Sequence, residues 1–286
     1  MARTEDRPTR WWLETLRRRA ERTDAHIAMT EPIRFESEAE RAAAVRFFNA
    51  AFRAEESGLR QAHELAAEVR ELDPELAEVL RLYGDEEGWH RELLTEFLAF
   101  LGGEIKPMGK VTRTLYLLYG SAKRMETILL TNLMFETIGS TTYRLALGRV
   151  RHLPARQMLT ILTRDEAFHV PLNVHFLRRV LGRSSRGARW RLRFVQRALF
   201  LSLTLLPLAS RPKARAFDGI GTLELSRAYA RELARVFASA PELGLPPPWL
   251  LLRLLGVDRC NVERSAFEPL EDAAERERVA CEPLTG

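Results

Sequence analysis

Apolar residues recur every three to four positions along most of this chain, with polar residues between them. Strand-type alternation of β-branched residues is absent, so nearly every segment reads as helix. An amphipathic stretch runs from about Arg10 to Met29, and Pro32 breaks it. Ser37 followed three residues later by Glu40 reads as a capping box opening a helix to about Leu72. Asp73–Pro74 supplies an N-cap and a proline at the first helical position, opening a helix to about Leu101, where Gly102–Gly103 ends it. A third long segment runs from about Lys110 to Val150, with Gly120–Ser121 as an interruption. Pro154 opens a fourth, ending near Gly182. Four long helices with a long middle connection predict an all-α four-helix bundle over residues 37–182. Residues 1–36 form an amphipathic segment before it. Residues 183–286 read as basic and apolar helices packing on the bundle, including one from about Thr222 to Ala240. Then come a break at Pro246–Pro248, an apolar turn from Trp249 to Leu255 and an acidic tail.

Composition narrows the class without changing that picture. The 286 residues are 46% hydrophobic and 29% charged, which is ordinary for a globular chain. Two cysteines, Cys260 and Cys281, are too few for a disulfide framework or a cysteine-rich metal site, and a reduced, cytoplasmic setting fits. The N-terminus lacks an apolar signal core. The longest uncharged apolar run in the C-terminal half, Ala198 to Ser210, falls short of the roughly 20 residues a bilayer span needs.

Charge is unevenly placed. The chain carries +5, yet between Glu166 and Asp218 there are eleven Arg or Lys and no Asp or Glu. That segment is therefore +11 and the remainder −6, which makes an anionic partner a natural expectation. Arg189, Arg191 and Arg193 are the candidate docking residues. The segment reads as a solvated surface, as a dock for an acidic carrier protein, or as a face for an anionic membrane surface with Trp190, Phe194, Leu199 and Phe200 in the interface. Nucleic acid fits poorly with an acidic remainder and with the apolar residues after Arg197.

The chemistry lies in two Glu-x-x-His stretches, Glu87–His90 and Glu166–His169. At i and i+3 on a helix, carboxylate and imidazole point to one face and can hold one metal. Chance alone gives less than one such pair in this composition, and the contexts match: Asp85-Glu86-Glu87-Gly-Trp-His and Asp165-Glu166-Ala-Phe-His. Each motif also follows a glutamate about 30 residues earlier. Glu136 lies on a seam with Leu129, Leu133, Ser140 and Tyr143, where an unpartnered buried carboxylate costs several kcal/mol. For the other, Glu55 shares a face with Phe48, Phe52 and Leu59, whereas Glu56 faces Phe52, Leu59 and His63; either fits the spacing. The chain thus repeats twice a lone Glu followed by Glu-x-x-His, the ligand pattern of dinuclear carboxylate bundles. Carboxylate-rich sites with two imidazoles favour iron, with manganese as the substitute. Glu86 and Asp165 are placed to accept from the outer ring nitrogens across the bundle, Asp165 from His90 and Glu86 from His169.

These motifs carry a resemblance. EEGWHRELLTEFL resembles the second-helix motif of the soluble acyl-carrier-protein desaturases, DEAFH their fourth-helix Asp-Glu-x-x-His, and AEESG their first-helix Glu-Glu. In that family the first glutamate of the AEESG-like pair is the ligand, which favours Glu55. The likeness spans about residues 45 to 180 and belongs to the ferritin-like di-iron superfamily, which includes p-aminobenzoate N-oxygenases. Those add a third histidine where this chain has Leu162. The resemblance implies a ferritin-like fold, two iron ions, O2, and an electron donor such as a ferredoxin-like protein or a flavin reductase. A homodimer is compatible with it.

Other residues have ordinary explanations. His175 sits on the opposite helix face from Glu166 and reads as surface or packing; His63 stays open as a neighbour of the site. Tyr143 reads first as core and second as a redox or substrate neighbour. Trp89 and Phe168 point away from the motif face, and Asn173 follows His169 by one turn. The function expected is an O2-dependent di-iron hydroxylase, desaturase or N-oxygenase. Its hydrophobic or carrier-tethered substrate would lie along an apolar channel of the bundle. The alternatives are a ferritin-like storage or peroxide-scavenging protein and a tRNA-modifying hydroxylase.

Overall fold

The computed structural model describes residues 7–21, 27–30, 32–107, 109, 113–114, 122–210 and 215–263. The expected helix start near Lys110, the break at Gly120–Ser121, Cys281 and the acidic tail lie outside the described residues.

The fold is all-α and ferritin-like, with no strand among the described residues. Helix α1 spans Thr9–Ala20 and α2 spans Glu38–Val69. They are followed by α3 (Pro74–Phe100), α4 (Met125–Leu147), α5 (Leu153–Gly182), α6 (Arg186–Ser210), the short α7 (Arg215–Asp218) and α8 (Thr222–Ser239). Helices α2 to α5 make the bundle. α2 begins where Ser37 Oγ accepts from Glu40 N at 3.2 Å, and the Glu40 carboxylate reaches back to Glu36 N, one residue beyond the reciprocal box the sequence suggests. α3 begins where Asp73 Oδ1 accepts from Leu76 N at 3.2 Å with Pro74 at the first position. These caps satisfy amide donors that a helix start otherwise leaves without partners.

The faces that meet are apolar. Phe48 stacks edge-on against Phe97 at 4.7 Å between ring centroids, tying α2 to α3. Leu133 on α4 and Leu159, Leu162 and Leu172 on α5 are fully buried. Helix α1 ends at Ala20, and residues 22–26 of the expected amphipathic stretch lie outside the described residues. The helix docks Trp12 against Phe168 of α5 at 5.4 Å, and Thr9 Oγ1 hydrogen-bonds His175 Nε2 at 3.2 Å. His175 is therefore a buried packing residue, 3% exposed, and not a surface one.

The basic stretch and the apolar run after it form one helix, α6, continuing through Pro207. Leu199 and Phe200 face the core, fully buried, which corrects their expected place on an interacting surface. Arg191 reaches Glu126 at the start of α4 at 2.5 Å, while Arg189 and Arg193 donate to the carbonyls of Leu181 and Gly244. These three arginines hold α6 to its neighbours. α8 packs against both α6 and α4, with Tyr229 OH 2.6 Å from Thr142 Oγ1 of α4. No described helix is long and apolar enough to cross a membrane.

Candidate metal centre

The bundle brings one ionisable group from α2, three from α3, one from α4 and three from α5 to the same level. Helical phase accounts for this: Glu87 and His90, and Glu166 and His169, project from one face of their helices at i and i+3. Glu55, on the buried side of α2, meets them from across the core and is 2% exposed. Glu56 turns outward, accepts from Arg53 Nη1 at 2.6 Å and keeps 42% of its side chain exposed. Glu136 enters from α4.

Two groups of ligand atoms result. Glu55, Glu87 and His90 form one; Glu87, Glu136 and His169 form the other, so Glu87 belongs to both. His90 Nδ1 lies 3.4 Å from Glu55 Oε2. His169 Nδ1 lies 3.0 Å from Glu87 Oε1 and 3.8 Å from carboxylate oxygens of both Glu136 and Glu166. The glutamates from α2 and α4 are each fixed by a tyrosine: Tyr143 OH donates to Glu55 Oε1 at 3.1 Å and Tyr83 OH to Glu136 Oε1 at 2.6 Å.

The outer nitrogens of both rings are held by acids from the opposite helix. His90 Nε2 is 3.1 Å from Asp165 Oδ2, and His169 Nε2 is 3.0 Å from Glu86 Oε2. Ionised carboxylates only accept, so each Nε2 carries the hydrogen, and once Nδ1 gives up its own proton its lone pair is turned inward. Arg19 from α1 joins the two acids, with Nη2 2.6 Å from Glu86 Oε1 and 2.9 Å from Asp165 Oδ1. Its guanidinium also lies over the Phe168 ring at 4.3 Å. Arg164 Nε adds a bond to Asp165 Oδ1 at 3.1 Å.

The charges respond to this packing. Burial works to raise Asp165 and Glu86, but Arg19 and the two histidines outweigh it and keep both ionised. Burial works to lower His90, yet the Asp165 and Glu55 carboxylates beside it lift it to about 10, and His169 is raised likewise by Glu87 and its other acidic neighbours. Burial, then the neighbouring carboxylates, pushes Glu87 and Glu166 well above the usual carboxylate range. For Glu55 and Glu136, burial is overcome by the neighbouring carboxyl, imidazole and phenol groups, which hold both below the usual carboxylate range.

The donors fit a metal pair. Glu87 Oε1, His90 Nδ1, Glu166 Oε2 and His169 Nδ1 are all shut off from solvent, and none has a hydrogen-bond partner among the described residues. A buried polar atom without a partner costs about 1–3 kcal/mol. The four converge on one small volume, where bound cations would satisfy every one of them. Four carboxylates and two imidazoles are the donor set of a pair of hard or borderline divalent ions.

A cavity reaches this cluster from between α2 and α4. Its floor is Glu55, Glu87, Glu136 and Glu166; Ser57, Gln61, Thr131, Asn132 and Phe135 line it, with Gly58 and Gly139 giving it room. A Cβ at Gly58 falls 3.0 Å from Glu87 Oε2, so glycine lets α2 approach the shared carboxylate. The lining is mixed polar and apolar, unlike the apolar channel expected from sequence. Tyr143 borders the cavity. His63 does not: it is a surface residue 3.0 Å from Asp85 Oδ1. Asn173 is buried and donates to the His169 carbonyl at 3.1 Å.

Arg19 and Tyr83 are the functional neighbours that sequence reasoning missed. Arg19 follows Trp12 and Leu16 on the same buried stripe of α1, and Tyr83 precedes Glu87 by one turn. Those phases were the available signals.

No family model matches the chain, and no curated protein matches it. Among solved structures it is similar to a Synechococcus protein described as having aldehyde deformylating oxidase activity. The TM-score is 0.61 and the identity 20%, over 78% of this chain and 98% of the other. At that identity the likeness speaks for the fold.

Proposed function

We propose that this chain is an O2-dependent, non-haem di-iron oxidoreductase acting on a hydrophobic or carrier-tethered small substrate. The observation that carries this reading is the pair of buried imidazoles. Their outer nitrogens are latched by acids and their inner nitrogens face four glutamates without hydrogen-bond partners. Glu55 and His90 would hold one ion, Glu136, Glu166 and His169 the other, and Glu87 would serve both. When bound, an iron pair supplies the two electrons needed to activate dioxygen for attack on a substrate bond. The chain's own groups do the rest. Tyr83 and Tyr143 orient the glutamates of α4 and α2, and Arg19 holds Glu86 and Asp165 ionised and in place. The cavity between α2 and α4 admits the substrate beside the carboxylates.

The ferritin-like fold supports this reading, and the activity described for the Synechococcus protein adds aldehyde deformylation to hydroxylation, desaturation and N-oxygenation as reactions suited to such a centre. An electron donor, a ferredoxin-like protein or a flavin reductase, belongs to the proposal, as does a cytoplasmic setting. Manganese is the alternative metal.

The test is anaerobic loading with ferrous iron, followed by exposure to O2. Two irons per chain and rapid O2 consumption with a visible absorption transient are expected. Fewer than two tightly held irons, or oxidation no faster than that of free iron, would overturn the reading. Progressive uptake of many irons per chain would mark a storage protein instead.

A further inference from the structure

Helix α6 presents two apolar faces. Leu192, Leu199, Phe200 and Leu203 are fully buried against the rest of the protein. On the outer side, Trp190, Phe194, Leu201, Leu205 and Leu208 are 72%, 69%, 44%, 40% and 54% exposed. At 3.6 residues per turn these five fall within about 60° around the axis and extend about 27 Å along it. Exposed apolar residues scattered singly need no explanation, but a continuous row of this length does. α6 also carries five arginines and no acidic residue; Arg186 and Arg197 are exposed along the half of the helix that holds Trp190 and Phe194, and Arg189 and Arg193 are exposed there too, each with a donor on a backbone carbonyl.

We propose that the outer face of α6 is an interfacial docking surface for an anionic lipid bilayer. Its basic half would lie among the headgroups, and the leucine row would dip into the acyl boundary. An amphipathic helix with arginine and tryptophan beside an uninterrupted leucine row is built for that position. Charge decides against the other occupants. A second copy of this face, in either orientation, brings no acidic residue to these arginines because α6 has none, and a soluble partner that is only acidic neutralises the arginines but leaves the leucines bare. Long arginine side chains can lie along apolar surface while their heads reach phosphates. The inference stands on the surface alone and not on the metal reading.

The full-length protein is mixed with vesicles of phosphatidylcholine alone and of phosphatidylcholine with phosphatidylglycerol, and sedimented. Binding to the mixed vesicles is expected to be at least about tenfold tighter than to the neutral ones and to weaken with added salt. Trp190→Ser with Phe194→Ser is expected to lower binding by about tenfold or more while metal content stays unchanged, since both side chains are exposed. Tryptophan emission is expected to shift to the blue on binding, and Trp190→Phe to remove most of the shift. Three results would overturn the proposal: no binding to either vesicle, binding indifferent to the double substitution, or a dimer in solution that the double substitution converts to monomer. Loss of vesicle binding with two metals retained leaves the metal centre standing; loss of metal with vesicle binding retained does the reverse.

Discussion

Arg19 Nη2 donates to Asp165 Oδ1 at 2.9 Å, joining residues 146 positions apart in a closed interior. The same guanidinium holds Glu86, so one cation from outside the bundle governs the acids that orient both histidines. Removing one partner of a buried ion pair leaves the other charge uncompensated.

Arg19→Ala is therefore expected to destabilise the protein by about 3–5 kcal/mol in chemical denaturation. It is also expected to weaken manganese binding by about 10- to 100-fold, read by calorimetry. Arg19→Lys should recover part of both losses, because a point charge serves two carboxylates less well than a planar fork. Unchanged metal affinity in Arg19→Ala would show that the histidines are oriented without it.

Ligand substitutions separate neighbouring glutamates. Glu55→Ala, Glu136→Ala and His169→Ala are each expected to reduce bound metal from two ions per chain to one or fewer, by elemental analysis. Glu56→Ala should keep both, since its carboxylate pairs with Arg53 at the surface. Full occupancy in both Glu136→Ala and His169→Ala would sink the ligand assignment.

Metal loading is expected to release protons. Glu87, Glu166, His90 and His169 are all raised in the metal-free fold, so they hold protons there more tightly than in the unfolded chain. Their contribution to metal-free stability is present below the ordinary carboxylate and imidazole values of 4.5 and 6.5. It is lost as pH rises toward the folded values, about 10 for His90. The metal-free melting temperature should therefore fall as pH rises above neutrality, while the stabilisation given by metal grows over the same window. Calorimetry in buffers of different ionisation enthalpy counts the protons; a count of zero would contradict this account.

Gly139 faces the cavity, and a Cβ there meets only Tyr143 at 3.9 Å. Gly139→Leu is expected to retain two metals and cut single-turnover oxidation of bulky substrates by about tenfold or more, as expected when a positioned substrate is displaced by an ångström or so. Equal losses for O2 consumption without substrate would instead point to damage at the metals.

The sequence made the bundle legible because its caps are local. Ser37 and Asp73 start helices through bonds within three residues, and Glu-x-x-His is a one-turn relation. The direction of Glu55 against Glu56 depended on the phase of α2, which the flanking phenylalanines indicate. Arg19 was hidden because it ends a run of three arginines that reads as a solvated helix end; Arg17 and Arg18 are indeed exposed, and only docking against Phe168 selects the third. Tyr83 escaped for the same reason, since nothing local ties its hydroxyl to Glu136, 53 residues away. The unity of α6 was obscured by its change from basic to leucine-rich composition, which concerns what lies outside the helix and not its backbone.

The place of Arg19 also sets a schedule for assembly. At roughly 5–20 residues per second, a ribosome needs about 7–30 s to travel from Arg19 to Asp165. Over that interval the nascent α1 holds a cation whose buried anions are still incomplete. The last bundle helix to be made thus brings the groups that lock the first helix down, and metal can be fully housed only after synthesis has passed both ends of that clasp.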